Sequence, residues 1–163
     1  MSLTIMLVPA IIAAIAAASG TGVAGAVGAG IMANGKGPGS MQVATRMKDR
    51  VLLDAALADC GATGIQSTEN SVKAEVDGFT LEMTKNPDGI WEAHFTQDGS
   101  RPIDEAAARE LITRLDAAYA GRVQSAVAEK IRLRADDAGL ELVSETVEDD
   151  ATVTMVLNVR QGG

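Results

Sequence analysis

Residues 71–95, SVKAEVDGFTLEMTKNPDGIWEAHF, decide the fold. Ser71–Val76 and Phe79–Thr84 flank Asp77-Gly78, a two-residue pair that favours a tight hairpin. Asn86-Pro87-Asp88-Gly89 supplies a second turn before Ile90–Phe95, because Pro presets one turn dihedral and Gly accepts a positive φ. Three antiparallel strands follow. On the middle one Phe79, Leu81 and Met83 alternate with Thr80, Glu82 and Thr84, which predicts one buried and one wet face.

Working outward, Gln42–Met47 reads as a short strand. Arg50–Asp59 reads as a helix with Leu52, Leu53, Ala56 and Leu57 on its inner side and Gly61 at its C-cap. Downstream, a helix begins at Asp104, with Glu105 favouring its positive end, and persists to Ala138, where Gly139 stops it. Leu111, Leu115, Tyr119, Val123, Val127 and Ile131 recur every four residues, so the row winds roughly 200° around an ideal helix. One straight helix cannot bury that row on one flat sheet. Either Gly121 breaks the helix, or its second half meets a partner through Tyr119, Val123, Val127 and Ile131. Leu140–Val147 and Thr152–Val159 then form a hairpin around Glu148-Asp149-Asp150-Ala151, with Val153, Met155, Leu157 and Val159 on its buried face. The expected architecture is α+β: an antiparallel sheet of about five strands with covering helices over residues 41–163.

The 163 residues suit one domain plus an appendage. Charge divides the chain in two: no ionisable side chain lies between Ser2 and Gly35, and all 36 charged residues lie from Lys36 onward. A net charge of −8 argues against an electrostatic grip on nucleic acid, which needs clustered Lys and Arg. One Cys (Cys60) and one His (His94) rule out an internal disulfide, a Cys/His zinc site and any triad needing two such groups.

Residues 1–35 read as an apolar Gly/Ala-rich segment, joined through the Gly/Pro linker 36–40, KGPGS, to the acidic domain. Membrane insertion is one reading. Small residues recur at Ala16, Gly20, Ala24 and Gly28, with a second row at Gly22, Ala26 and Gly30, a spacing that lets helices pack closely in lipid. The first charges beyond it, Lys36, Arg46, Lys48 and Arg50, would hold the following domain in the cytoplasm, with the N-terminus outside or returned through a hairpin at residues 19–22. Self-assembly into a lipid-free ring, tube or filament, with the segment as its dry core, is a second. A cleaved leader ending at Ala16-Ala17-Ala18 is a third, although it lacks a basic start.

Three blocks, VATRMKDRVLLDAALADCGA, VDGFTLEMTKNPDGIWEAHF and LDAAYAGRVQSAVAEKIRLRADDAGLELVSETVEDDATVTMVLNV, resemble in order and spacing a small conserved reading-frame family of algal plastids, cyanobacteria and other bacteria. The resemblance covers about residues 43–159 and rests mainly on Tyr119-Ala120, Val123, Gly139, Val143, Glu145 and Val147. It implies a domain of unknown function with an α+β fold, and an ATPase of the AAA type as partner. It implies no catalytic residue, and the uncharged N-terminal segment departs from the family pattern.

Catalytic and cofactor signals are weak. Gly20-Thr21-Gly22-Val23-Ala24-Gly25 matches GxGxxG, but no acid stands about 20 residues on to hold a ribose. Asp136, Asp137, Glu141, Glu145 and Glu148-Asp149-Asp150 concentrate acids without calcium-loop spacing, and read as a solvated helix end and turn. Cys60 reads as a small buried apolar residue, and His94 as a solvent-facing or hydrogen-bonded strand residue. The terminal Gly162-Gly163 resembles the tail of ubiquitin-like modifiers, with a frayed end as the plainer reading. The sequence therefore predicts a protein without cofactor, metal or catalytic residue: a membrane-anchored, homo-oligomerising accessory subunit whose acidic domain meets a cytoplasmic partner.

Overall fold

Asp77 (φ 52°) and Gly78 (φ 80°) both lie in the left-handed region, as the primed turn of a two-residue hairpin requires. In the computed structural model, which describes residues 1–8, 40–97 and 103–160, this turn joins Ser71–Val76 to Phe79–Lys85. The elements in order are β1 (Ser2–Leu7), β2 (Ser40–Ala44), α1 (Arg50–Asp59), β3 (Thr63–Ser67), β4 (Ser71–Val76), β5 (Phe79–Lys85), β6 (Trp91–Thr96), α2 (Glu105–Asp137), β7 (Leu140–Val147) and β8 (Val153–Val159). The fold is α+β, with a five-stranded antiparallel sheet in the order β2-β6-β5-β4-β3. A separate three-stranded antiparallel sheet has the order β1-β8-β7.

The large sheet buries Val72, Ala74, Val76, Phe79, Leu81, Met83, Trp91, Ala93 and Phe95 on one face, and Phe79 meets Phe95 edge to face at 5.7 Å. Asp49 caps α1 by accepting from the Leu52 N–H at 3.1 Å. The approach to α1 is locked from below: the Trp91 indole donates to the Lys48 carbonyl (3.2 Å), while the Tyr119 hydroxyl accepts from the N–H groups of Lys48 (3.1 Å) and Asp49 (2.9 Å). Both aromatic rings therefore bury their bodies and still satisfy their polar tips.

Helix α2 runs unbroken for 33 residues, about 50 Å, through Gly121. It packs on α1 and on β7, and Leu111, Ile112, Leu115 and Tyr119 of its first half share one buried core with the large sheet. The winding row is thus buried or half-buried within the chain itself. Tyr119 and Val123, placed by periodicity on a partner-facing surface, are buried, and Val127 and Ile131 pack half-buried on the same core. A second sheet supplies the cover expected from a partner, because the hairpin β7–β8 leaves the large sheet to wrap the far end of α2.

Two strands depart from expectation. β3 is a short strand with Gly64 (φ 61°) and a register shift between Thr63 and Gln66, so its sequence lacks a clean alternation. β1 lies inside the stretch read as a separate apolar segment. It pairs with β8 so that Leu3, Ile5 and Leu7 stand opposite Leu157, Met155 and Val153. The acidic domain therefore includes Ser2–Leu7 as well as its expected residues, and β2 opens at Ser40, the last residue of the expected linker. Gln124, buried within α2, fixes the end of β1: its amide nitrogen donates to the carbonyls of Leu7 and Ala151, both at 2.6 Å. One amide thus ties the exit of β1 to the β7–β8 turn, where Ala151 adopts φ 62°.

Candidate interaction surface

Cys60 ends α1 beside a cavity of about 330 Å³ lined by Gly61, Thr63 and the β4–β5 turn from Glu75 to Thr80. Burial pushes its thiol above the ordinary value; Arg114 opposes the shift, and Asp59 and Asp77 add to it. A thiol held protonated is a poor nucleophile. The neighbouring acids are committed as well. Arg122 grips Asp59 with two hydrogen bonds (2.7 and 2.5 Å), which hold that carboxyl below its ordinary range, and Arg114 pairs with Asp77. These groups fasten α1 and the β4–β5 turn to α2.

The large sheet turns its second face to solvent. Gln66, Lys73, Glu82, His94 and Gln42 form one row straight across its five strands. His94 shares a hydrogen bond with Thr84 (3.1 Å), and Glu92 accepts from Gln42 (3.0 Å) and Asn86 (3.2 Å). This is a polar face whose side chains brace one another across strands. Arg46, counted in the basic flank, is bound to Asp116 through two hydrogen bonds (2.9 and 2.5 Å) that raise its pKa, so much of its charge is spent inside the fold.

The acids near the second sheet also have structural duties. Glu145 accepts from Arg132 (2.9 and 2.5 Å) across β7 and α2, which lowers its pKa, and Asp136 pairs with Arg160. Asp150 accepts from the Thr152 N–H (2.9 Å) inside the turn. Among the described residues, no group of three or more His, Cys, Asp or Glu side chains is placed to hold a metal ion.

The sheet edges differ sharply. β3 carries a bulge, and β7 carries another between Leu142 and Ser144 together with Glu141 and Glu145; both devices discourage pairing with a further strand. Every residue of β2 except Ala44 is buried or half-buried. β1 is the exception: six residues in unbroken register, no charge, and half-exposed or exposed side chains at Leu3 and Met6. The residue pattern taken alone does not mark it, because the strand alternating Ser2, Thr4, Met6 with Leu3, Ile5, Leu7 continues without a charge into a longer apolar run. Gln124 is equally silent in sequence, since a single amide in a helix carries no signal of what its side chain holds.

The small-residue rows Ala16, Gly20, Ala24, Gly28 and Gly22, Ala26, Gly30, the GxGxxG match and the terminal Gly-Gly lie outside the described residues. Among the described residues, no helix is long and apolar enough to cross a membrane. The class defined here is an α+β protein of two antiparallel sheets gathered on one long helix. Comparison of the chain with protein-family models, curated proteins and solved structures finds no match.

Proposed function

We propose that this is a non-enzymatic, membrane-associated, homo-oligomerising accessory protein, in which the acidic two-sheet domain carries the uncharged segment to a bilayer and offers its polar surface to a partner on the same side. The family resemblance gives that partner a class, an ATPase of the AAA type. What carries the reading is how the segment is held: Leu7, Met41 and Val43 belong to one continuous core, and Gln124 grips the Leu7 carbonyl. A segment that leaves and re-enters one body starts and ends on the same side of any bilayer. Two helical passes would need about 40 apolar residues, whereas residues 9–39 number 31. These ends favour attachment within one leaflet over a crossing, with the domain on the cytoplasmic face. Lipid-free assembly is the second reading, favoured by the uncharged edge of β1.

Flotation with phosphatidylcholine vesicles tests this. The full-length chain is compared with a variant in which a Gly/Ser linker replaces residues 9–39 and both β1 and β2 are kept, because a chain starting at Met41 would also strip β1 from Met155 and Leu157. Flotation of the full-length chain alone is the expected result. Sedimentation of that chain as large particles without lipid would favour assembly, and a monomer that does not float would sink both readings.

A further inference from the structure

We propose that two copies of this protein join β1 to β1 across a two-fold axis, turning two three-stranded sheets into one sheet of six strands. The proposal rests on the self-association read above and names its surface. Among the described residues, the backbone of β1 is paired on one side alone. The Val159 N–H donates to the Met1 carbonyl at 3.2 Å, so Met1 and Val159 form a hydrogen-bonded pair. Such pairs alternate along an antiparallel ladder. Leu3, Ile5 and Leu7 therefore turn their backbone groups toward β8, and Ser2, Thr4 and Met6 turn theirs to the free edge. Among the described residues, no backbone hydrogen bond satisfies those three on that side. An edge of this kind is a template for another strand.

The occupant follows from symmetry and charge. Each copy carries a net charge of −8, so copies repel one another over most of their surface; β1 has no ionisable side chain, and the edges of β3 and β7 are bulged. A two-fold axis normal to the sheet keeps the inner faces of both copies on one side. Residues opposite each other across strands must share a face, so even-numbered residues pair only with even-numbered ones. Two central registers satisfy this rule. With Ile5 opposite Ile5 of the second copy, Ser2 faces Val8, which lies beyond the strand. With Thr4 opposite Thr4, Ser2 pairs with Met6 at both ends, and every outward backbone group of the two strands finds a partner. The same register sets Leu3, 50% exposed, beside Ile5 of the second copy on the inner face, covering an apolar side chain that the monomer leaves half open.

Disulfide trapping in the full-length chain reads this register. In a Cys60→Ser background, Thr4→Cys places two thiols on residues about 5.5 Å apart between Cα atoms, within disulfide reach. Met6→Cys places them four residues out of register, about 14 Å apart, and beyond reach. Mild oxidation is expected to convert most Thr4→Cys protein to covalent dimer and to leave Met6→Cys monomeric on a denaturing gel. No Thr4→Cys dimer, or equal trapping of both variants, overturns the proposal. Thr4→Pro removes an N–H that the monomer does not use, and Pro is tolerated at such edge positions; the dimer boundary in sedimentation velocity should disappear while circular dichroism is unchanged. Thr4→Lys, which sets like charges face to face, should do the same if Pro disturbs the strand. A dimer that persists in both variants also overturns the proposal. The same trapping in the chain with residues 9–39 replaced separates the two ideas: a Thr4→Cys dimer there upholds the edge even if flotation fails. Large particles of the full-length chain without Thr4→Cys trapping refute the edge and leave assembly through the uncharged segment standing.

Discussion

The two sheets are held in different ways. The large sheet is built from neighbours: β3, β4, β5 and β6 follow one another through tight turns, and its interior holds Trp91, Phe95 and Phe79, three of the four aromatic residues. The small sheet joins the first strand of the sequence to the last, with Ser2 opposite Asn158, and has Met155 and Leu157 as its fully buried side chains. Closing so long a loop adds only slowly to the entropy cost of pairing, and the result is a narrow sheet that, among the described residues, has β1 at one edge and the bulged β7 at the other. Both sheets share one core, but the large one supplies most of its buried side chains, and the small one carries the edge proposed for pairing.

The sharpest attempt to break this contrast is Trp91→Ala. Emptying that site should destabilise the protein by roughly 3–5 kcal/mol, and both sheets should unfold in one denaturant transition, since Trp91 and Met155 belong to one core cluster. Two separated transitions would mean the sheets are independent. Removing residues 1–7 should act more locally, by about 2–4 kcal/mol from the lost burial of Leu7 and the uncovering of Met155 and Leu157. Amide exchange should then quicken in β7 and β8 while β4, β5 and β6 keep their protection; uniform loss would contradict the division.

Gln124→Leu leaves two carbonyls without their donor and should lower stability by about 1–3 kcal/mol. The loss should appear first as faster exchange at the end of β1 and in the β7–β8 turn. Tyr119→Phe tests the other half of α2. Two N–H groups at the entrance to α1 lose their acceptor, with an expected cost of about 1–2 kcal/mol and faster exchange confined to that entrance.

Glu145→Gln should have the smallest effect, below about 1 kcal/mol for a partly exposed pair. Arg132 lowers the folded pKa of Glu145, so its contribution is complete above the unfolded carboxyl value of about 4.3 and is lost as pH falls through the lower folded value. Comparing denaturation of the two proteins between pH 6 and pH 3 checks this: their difference should shrink only in the acid range.

Much of the large sheet was legible because its signals are local. Asp77-Gly78 can adopt its turn whatever surrounds it, and Asp49 and Asp104 begin helices through bonds to residues two or three positions away. The helix limits agree closely with the residue pattern for the same reason. β3 was hidden by Gly64 and a bulge, which erase the alternation that marks a strand. β1 was hidden by the opposite fault. Its Leu3-Ile5-Leu7 face is regular, but no charge on the other face interrupts the apolar run, so period two and unbroken hydrophobicity look alike. The proposed pairing edge was therefore illegible: which backbone groups point outward depends on the register with β8, and no side chain reports it.

The sequence by itself determined the turns, the helix ends, the charge partition and which residues require burial. Only the tertiary structure decided what buries them. Tyr119 and Val123 demanded cover, and the hydrophobic effect is non-directional, so a partner, a membrane or a second sheet would have satisfied them equally. The chain supplies that cover itself: the entrance to α1 closes over Tyr119, and the small sheet, which brings β1 to β8 across about 150 positions, meets the far half of α2, through backbone hydrogen bonds and apolar contacts that no local pattern encodes.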